Sequence, residues 1–310
     1  MRSRVTVVGE VLVDLLWRSG AEHVLPVPGG SPANVAVGLH RLERPVTLVT
    51  TWGDDPPGAL IGAHLDAIGV EVRRAPSATD RSTLAIAYLD EDGSASYEFV
   101  AAWDPRALDV PADTAVLHTG SLALVVEPGA SDVLRACRRV RERPGTAVAV
   151  DLNVRPAVQR DRAAYRAACE RFAEVADVVK ASDEDLAWLY PDATAEQAAR
   201  DLLARGARLV VVTLGADGAF ALTADAQARV PAPPVDVKDT VGAGDAFQAA
   251  LLDALASAAA PASEEDRLPL PTTADELTRV LIRCVTAAAI TCTRVGSDPP
   301  TAAELQSAQL

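Results

Sequence analysis

Short apolar runs alternate with helical segments along most of this chain, and that alternation narrows the fold more than any other feature. Strand-like runs fall at residues 4–9, 46–51, 116–117, 147–152, 178–180 and 209–213. Helical patterns fall between them, at 31–43, 57–68 (ended by Gly69), 129–142, 161–175, 183–190 and 194–205. The first helix has Ser31 as a candidate cap and Pro32 in its first turn, followed by Val35, Val37, Leu39 and Leu42. Apolar strands that alternate with helices predict a parallel sheet covered on both faces.

Two stretches break the rhythm. Residues 11–27 and 82–100 have the pattern of antiparallel strands, and Glu91-Asp92-Gly93 supplies a turn between 84–89 and 95–100. They are expected to form a small β lid (11–27 and 82–100) on an α/β core (1–10, 28–81 and 101–310). The segment 257–273, rich in Ala, Ser, Pro and acidic residues, reads as an exposed loop. With 310 residues, 49% of them apolar, the chain has ample material for such a core.

The formal net charge of −14 disfavours nucleic acid and anionic membrane as partners. The apolar start is interrupted by Gly9, Glu10 and Asp14, too early for a signal peptide or a membrane span. Cys137, Cys169, Cys284 and Cys292 show no metal-ligand spacing and no disulfide framework, so a reducing cytoplasm is the simplest location.

The chemistry concentrates in Asp239-Thr240-Val241-Gly242-Ala243-Gly244-Asp245-Ala246-Phe247. An extended segment precedes it, and an apolar-periodic run (Phe247, Leu251, Leu252, Leu255) follows. A small-residue turn therefore opens a helix, whose uncovered N–H groups and dipole favour an anion, phosphate above all. A carboxylate on that first turn would repel phosphate. It is sensible if Asp245 takes a proton from a nucleophile attacking the phosphate.

Other candidates sit at strand ends, where parallel sheets bind ligands. Gly29-Gly30-Ser31-Pro32-Ala33-Asn34 puts a glycine pair and an amide before a helix, although a plain turn would use the same residues. Asp14 would accept paired hydroxyl hydrogen bonds from a polyol, or be a solvated acid. Asp151-Leu152-Asn153-Val154-Arg155 and Lys180-Ala181-Ser182-Asp183-Glu184-Asp185 place more charge at strand ends. Arg155 or Lys180 could face phosphate, and Asp185 or Glu184 could hold a metal through water; for the acids, placement beside a helix dipole is the more ordinary explanation. Thr213 to Gly218 reads as a turn between two apolar strands. His23, His40, His64 and His118 form no metal or triad pattern, Trp52 is expected beside its strand, and Trp103 could reach a cleft. Neither a Walker loop nor a Gly-x-Gly-x-x-Gly after the first strand occurs, which argues against those nucleotide folds.

Together, Gly29-Gly30-Ser-Pro-Ala-Asn34…Gly53-Asp54-Asp55…Gly58 and Asp239-Thr-Val-Gly-Ala-Gly-Asp245-Ala-Phe247 resemble the ribokinase-like (PfkB-type) carbohydrate kinases over essentially the whole chain. The resemblance implies a three-layer α/β/α ribokinase-like core with a small β-sheet lid, and ATP-dependent phosphorylation of a sugar or nucleoside hydroxyl. It implies Asp245 as general base and the N–H groups of Gly242, Ala243 and Gly244 as an anion hole. Asp14, Gly29, Gly30, Asn34 and Arg155 would bind the sugar. Lys180, Ser182, Thr213, Gly215 and Gly218 would line the nucleotide site. Mg²⁺ would be organised through water by Asp185, with Glu184 as the alternative. A monovalent cation, K⁺, would sit near Asp239, Val241 and the 292–297 segment.

One departure matters. Many members carry Asn-x-x-Glu where this chain has Ser182 and Asp185, and Asp is one methylene shorter than Glu. The Lys-x-Ser-Asp-Glu form, with Gly9-Glu10 and Asp151…Asn153-Val-Arg155, is most similar to fructokinase-like members. Fructose is therefore the expected acceptor, ahead of ribose, 2-keto-3-deoxygluconate or a nucleoside, with Leu84, Tyr97 and Phe99 as unsorted candidates for lid contacts. Members of the family often form a homodimer through the lid, which the resemblance leaves open here. A non-catalytic member of the fold is the competing class, against which the intact Asp245 argues; a nicotinamide oxidoreductase has only the α/β rhythm in its favour.

Overall fold

The computed structural model describes residues 3–90, 95–258 and 267–308. The turn expected at Glu91-Asp92-Gly93 lies outside them, as does much of the loop expected at 257–273. The chain begins with β1 (Arg4–Val8), β2 (Leu12–Arg18), β3 (Leu25–Gly29), α1 (Ser31–Arg41), β4 (Val46–Thr50), α2 (Pro56–Ile68) and β5 (Glu71–Arg74). Next come β6 (Thr83–Leu89), β7 (Ala95–Val100), β8 (Thr114–Gly120), α3 (Gly129–Arg141), β9 (Ala147–Asp151), α4 (Arg162–Ala173), β10 (Val178–Ser182), α5 (Asp183–Leu189) and α6 (Ala195–Ala204). β11 (Leu209–Thr213), β12 (Ala219–Leu222), β13 (Gln227–Val230), α7 (Ala243–Ser257), α8 (Ala274–Cys292) and α9 (Ala302–Ala308) complete it.

The large sheet has the order β13-β12-β11-β10-β9-β8-β1-β4-β5. It is parallel from β5 to β11, with β12 and β13 added antiparallel at one edge. One core packs α1, α2, α7 and α8 against one sheet face; a second packs α3, α4, α5 and α6 against the other. The three-layer expectation therefore holds. From β1 the chain builds outward in both directions, first through β4 and β5, then through β8 to β11. The reversal opens a crevice at the strand C-termini, the usual ligand position in such sheets.

The second sheet, β3-β2-β6-β7, contains both stretches that broke the rhythm. Each forms an antiparallel hairpin as expected, but the hairpins meet through a parallel β2–β6 pairing. Each arm leaves the core and returns, so the two inner strands point the same way. β3 runs to Gly29, two residues beyond the expected boundary. The root of the second arm is fastened by Asp55. Its carboxylate accepts N–H groups from Gly58 and Ser82, each at 2.8 Å, and the Ser82 hydroxyl at 2.6 Å.

Two local expectations differ from the structure, and one strand had not been expected. Trp103 is buried in the second core against Gly129 and reaches no cleft. A Cβ at Gly129 would lie 2.4 Å from the indole, so that glycine makes room for the ring. In the described part of the expected loop, Leu268 and Leu270 are buried in the first core, because their two-residue spacing presents both to one side. The short edge strand β5 also lacked a clear sequence signal, since Glu71-Val72-Arg73-Arg74 is largely charged.

Arg44 just beyond α1, Asp253 in α7 and Arg283 in α8 form a largely buried charge cluster. Asp253 Oδ1 accepts Arg44 Nε at 2.7 Å, and Oδ2 accepts Arg283 Nη2 at 2.6 Å. Asp253→Ala strands both guanidinium groups and is expected to lower unfolding free energy by about 3–5 kcal/mol, the usual cost of breaking a buried pair from one side. Chemical denaturation with unchanged stability would contradict this.

Candidate active site

α7 begins at Gly242, whose φ of 76° turns the chain into the helix. A Cβ there would stand 2.2 Å from Ser297 Oγ, so only glycine lets the 239–242 loop lie against the 296–298 segment. The Ala243 N–H donates to Thr240 O at 3.2 Å, whereas the N–H groups of Gly242 and Gly244 have no partner among the described residues. Two of the three amides expected to form an anion hole are therefore free, at a helix end with partial positive charge.

Asp245 stands on the first turn of α7. Its Oδ1 accepts the Ser31 hydroxyl at 2.6 Å and its Oδ2 accepts Asn34 Nδ2 at 2.8 Å. Ser31 and Asn34 are three residues apart on α1 and share its face. Ser31 was expected to cap this helix. Instead Gly30 holds the cap position without a side-chain bond, and Ser31 is free to hold Asp245. Its role was missed because the partner lies 214 residues away.

The glycine pair has a steric reason. Gly30 has φ 107°, and a Cβ would lie 2.9 Å from Glu10 O. At Gly29 a Cβ would lie 2.5 Å from Asp14 Oδ2, so the Asp14 carboxylate rests directly on that glycine. Burial pushes Asp14 up to about 6; Arg155 draws it down and Asp245 raises it further. The crevice thus brings Asp14, Arg155 and Asp245 within electrostatic reach. Arg155 is half-buried, its guanidinium donating to Val154 O at 3.0 Å and its backbone N–H to the Tyr165 hydroxyl at 2.9 Å. Glu10 lies buried below, pushed by its burial to about 7, with the Leu122 N–H at 3.5 Å.

Cross-strand register sorts the lid residues. Asp14 pairs with Ala85, Ala85 with Phe99, and Ala87 with Tyr97, so Asp14, Phe99 and Tyr97 share one face. Leu84 pairs with Val13 and Val100 on the opposite face and packs against the first core. Register thus separates Leu84 from the other two candidates. Tyr97 and Phe99 stack with ring centroids 6.3 Å apart. Partial burial raises the Tyr97 phenol, with contributions from Asp14 and Asp239 opposed by Arg155, so its ring faces the same charges.

The remaining candidates follow the strand ends. Lys180 is buried and donates to Asp151 Oδ2 at 2.8 Å. Ser182 caps α5, and Asp185 closes the capping box: its Oδ2 accepts the Ser182 N–H at 2.8 Å. Asp185 Oδ1 accepts the Val154 N–H at 2.7 Å, so both oxygens already hold backbone. Glu184 is exposed one residue earlier. Thr213 ends β11, and Gly215 and Gly218 bound the short turn into β12. Asp239 Oδ1 accepts the Val241 N–H at 3.0 Å and Oδ2 the Gly296 N–H at 2.8 Å, joining two loops. Val237, Val241 and Val295 are exposed around that junction. No group of three or more His, Cys, Asp or Glu that could hold a metal occurs among the described residues, and none of their helices is long and apolar enough to cross a membrane.

A helix N-terminus with two free amides beside a clamped carboxylate suits an anion next to a proton acceptor, and the comparisons agree with that chemistry. The pfkB family carbohydrate kinase model matches residues 2–303. The chain belongs to that family. It is thus an ATP-dependent carbohydrate phosphotransferase. It is 35% identical over 257 residues to a fructokinase of Rhizobium leguminosarum bv. trifolii, covering 80% of this chain and 78% of the relative. A fructokinase double mutant from Vibrio cholerae O395, solved with fructose, ADP and potassium ion, superposes with a TM-score of 0.83 at 30% identity, covering 99% of this chain and 98% of the other. An aminoimidazole riboside kinase from Salmonella enterica, solved with its riboside and an ATP analogue, has a TM-score of 0.78 at 26% identity, with 99% and 100% covered.

Asp14 is an anion above about pH 6 and protonated below it. Ionised, it accepts two hydroxyl hydrogen bonds; protonated, it loses part of that capacity. Acceptor KM is therefore expected to rise as pH falls through about 6. Asp14→Asn should be weak and flat over the same range. A wild-type KM independent of pH would remove Asp14 from the acceptor site.

Proposed function

We propose that this kinase phosphorylates fructose, with Asp245 as the general base. The observation that carries this reading is the Asp245 carboxylate, clamped by Ser31 and Asn34 on the first turn of α7 beside the free Gly242 and Gly244 amides. The acceptor hydroxyl attacks the γ-phosphorus, its proton passes to Asp245, and the bond to the bridging oxygen breaks to release ADP. Ser31 and Asn34 fix the direction of the carboxylate lone pairs and leave the rest of its acceptor capacity for the substrate. Negative charge spreading over the transferred group meets the two amides and the positive end of α7.

Asp14 and Arg155 hold acceptor hydroxyls, with the Asp14 carboxylate presented on Gly29 and the Gly30 backbone beside it. Tyr97 and Phe99 cover the apolar face of the sugar, and the second sheet serves as the lid, comprising about the expected segments 11–27 and 82–100. The exposed Trp17, Tyr88 and Val100 on that sheet support a homodimer through it. Thr213, Gly215 and Gly218 line the nucleotide site, with Val237, Val241 and Val295 offering an apolar surface to the base.

Mg²⁺ would neutralise phosphate charge. The ion commonly keeps several waters and needs few protein carboxylates. Asp185 fits a role through water, because each oxygen retains acceptor capacity beyond its one backbone bond; exposed Glu184 is the alternative. The junction where Asp239 ties the 239–241 loop to Gly296 is the place for a monovalent cation, since a carboxylate there adds negative charge between two loops. Fructose is favoured by the fructokinase relatives and the Lys180-x-Ser182-Asp183-Glu184 pattern; the Salmonella neighbour supports a riboside as the second reading.

A coupled ADP-release assay with Mg-ATP and K⁺ against fructose, ribose, tagatose, glucose, adenosine and 2-keto-3-deoxygluconate tests the acceptor. Fructose is expected to give the highest kcat/KM; preference for another member would replace it. Asp245→Asn is expected to reduce kcat roughly 10²–10⁴-fold with ATP binding retained. Near-normal turnover in that variant would overturn the base assignment.

A further inference from the structure

β8, β9 and β10 direct His118, Asp151 and Lys180 to one face of the sheet, beneath the start of α7. The Lys180 ammonium donates to Asp151 Oδ2 at 2.8 Å, with the two side chains only 5% and 2% exposed. A Cβ at Gly244 would lie 3.4 Å from Lys180 Nζ, so the ammonium sits directly beside a residue with a free amide. Asp151 Oδ1 has no hydrogen-bond partner among the described residues. Asp185 on α5 and Asp245 on α7 also act on Lys180, and His118 on β8 is kept neutral by burial, down to about 3. Burying an ion pair costs desolvation that apolar residues avoid. The neighbours on the same face, Ala149 and Val178, are apolar. The pair therefore has no packing advantage at this position.

We propose that Asp151 and Lys180 act as one unit, in which Lys180 supplies positive charge to the transferring phosphoryl group beside Gly244 and Asp151 is the positioning residue that holds the ammonium there. This rests on the kinase reading of the α7 N-terminus. Charge developing on the phosphoryl oxygens meets a whole cation in addition to the partial charges of two amides, in a setting of low dielectric. In this arrangement Asp151 acts on the substrates only through Lys180. As the counterion of Lys180, it keeps the ammonium from pairing with Asp245, which would occupy the lone pairs needed for the acceptor proton.

Lys180→Met alone leaves a buried carboxylate unpaired, so the decisive variant is the double Lys180→Met/Asp151→Asn, which removes both charges together. It is expected to melt near the wild type and to bind Mg-ADP with little change. Its kcat should fall on the order of 10²–10³-fold, as when another transition-state donor is lost. Acceptor KM should move less than about threefold, since ground-state binding is not removed. Asp151→Asn alone should lower kcat about tenfold or more, yet add nothing to Lys180→Met, because coupled residues are non-additive. Binding of aluminium fluoride with Mg-ADP, measured by calorimetry, should weaken about tenfold or more in the double variant, as expected for a mimic that depends on the same charge. A double variant within about threefold of wild-type kcat, or fully additive single penalties, would overturn the proposal. Inactive wild type on every acceptor would defeat the acceptor reading, while the aluminium fluoride measurement would still decide this one.

Discussion

The packing of α1 on α7 is the contact on which the site depends. Ser31 and Asn34 meet Asp245 at the start of the two helices. Gly38 meets Ala249 midway, where a Cβ on the glycine would come within 2.7 Å of the alanine methyl. Arg44 meets Asp253 at the far end. The contacts advance together along both elements, so the helices run in the same direction. On α7 they fall at Asp245, Ala249 and Asp253, four residues apart, which is one helix face. Close approach at Gly38 brings the two chemical ends within hydrogen-bond range, and the buried charges at the far end oppose sliding of one helix along the other.

The sheet decides what gathers opposite that contact. Because the chain departs from β1 in both directions, the ends of β1, β8, β9 and β10 converge at the reversal point. Glu10 with the segment leading to Asp14, Asp151 and Lys180 arrive there from three different parts of the sequence. The outcome is a crowded charge balance. Asp14 raises its affinity for protons partly because Asp245 is near, and Lys180 is held by Asp151 while Asp185 and Asp245 also act on it. An overall charge of −14 coexists with a crevice that holds two free amides and one buried ammonium, itself paired with Asp151.

Much of this was readable in one dimension. Alternating apolar runs and helices located the parallel sheet, and Gly242 to Asp245 marked a helix start carrying a carboxylate. The errors share a cause. Ser31 has the sequence context of a cap, and only the approach of α7 gives its hydroxyl another partner. Trp103 follows the lid arm, yet Gly129 leaves a space that takes its indole into the core. Leu84 was grouped with Tyr97 and Phe99 because all three are apolar lid residues; the β2–β6 register puts it on the other face. Asp185 stood out for its charge alone, and only the fold shows that its oxygens also hold the backbone N–H groups of Ser182 and Val154.

The sequence by itself determined the local conformations: where helices begin, which runs form strands, and which loops place small residues against an anion. These follow from interactions among neighbours along the chain, which spacing records. Tertiary structure alone decided the pairings: Asp245 with Ser31 and Asn34, Asp151 with Lys180, and Asp14 with the Gly29 surface. Two charges far apart in sequence become partners only when the sheet order and the α1–α7 packing bring them together and exclude water, and no periodicity in the chain encodes that distance.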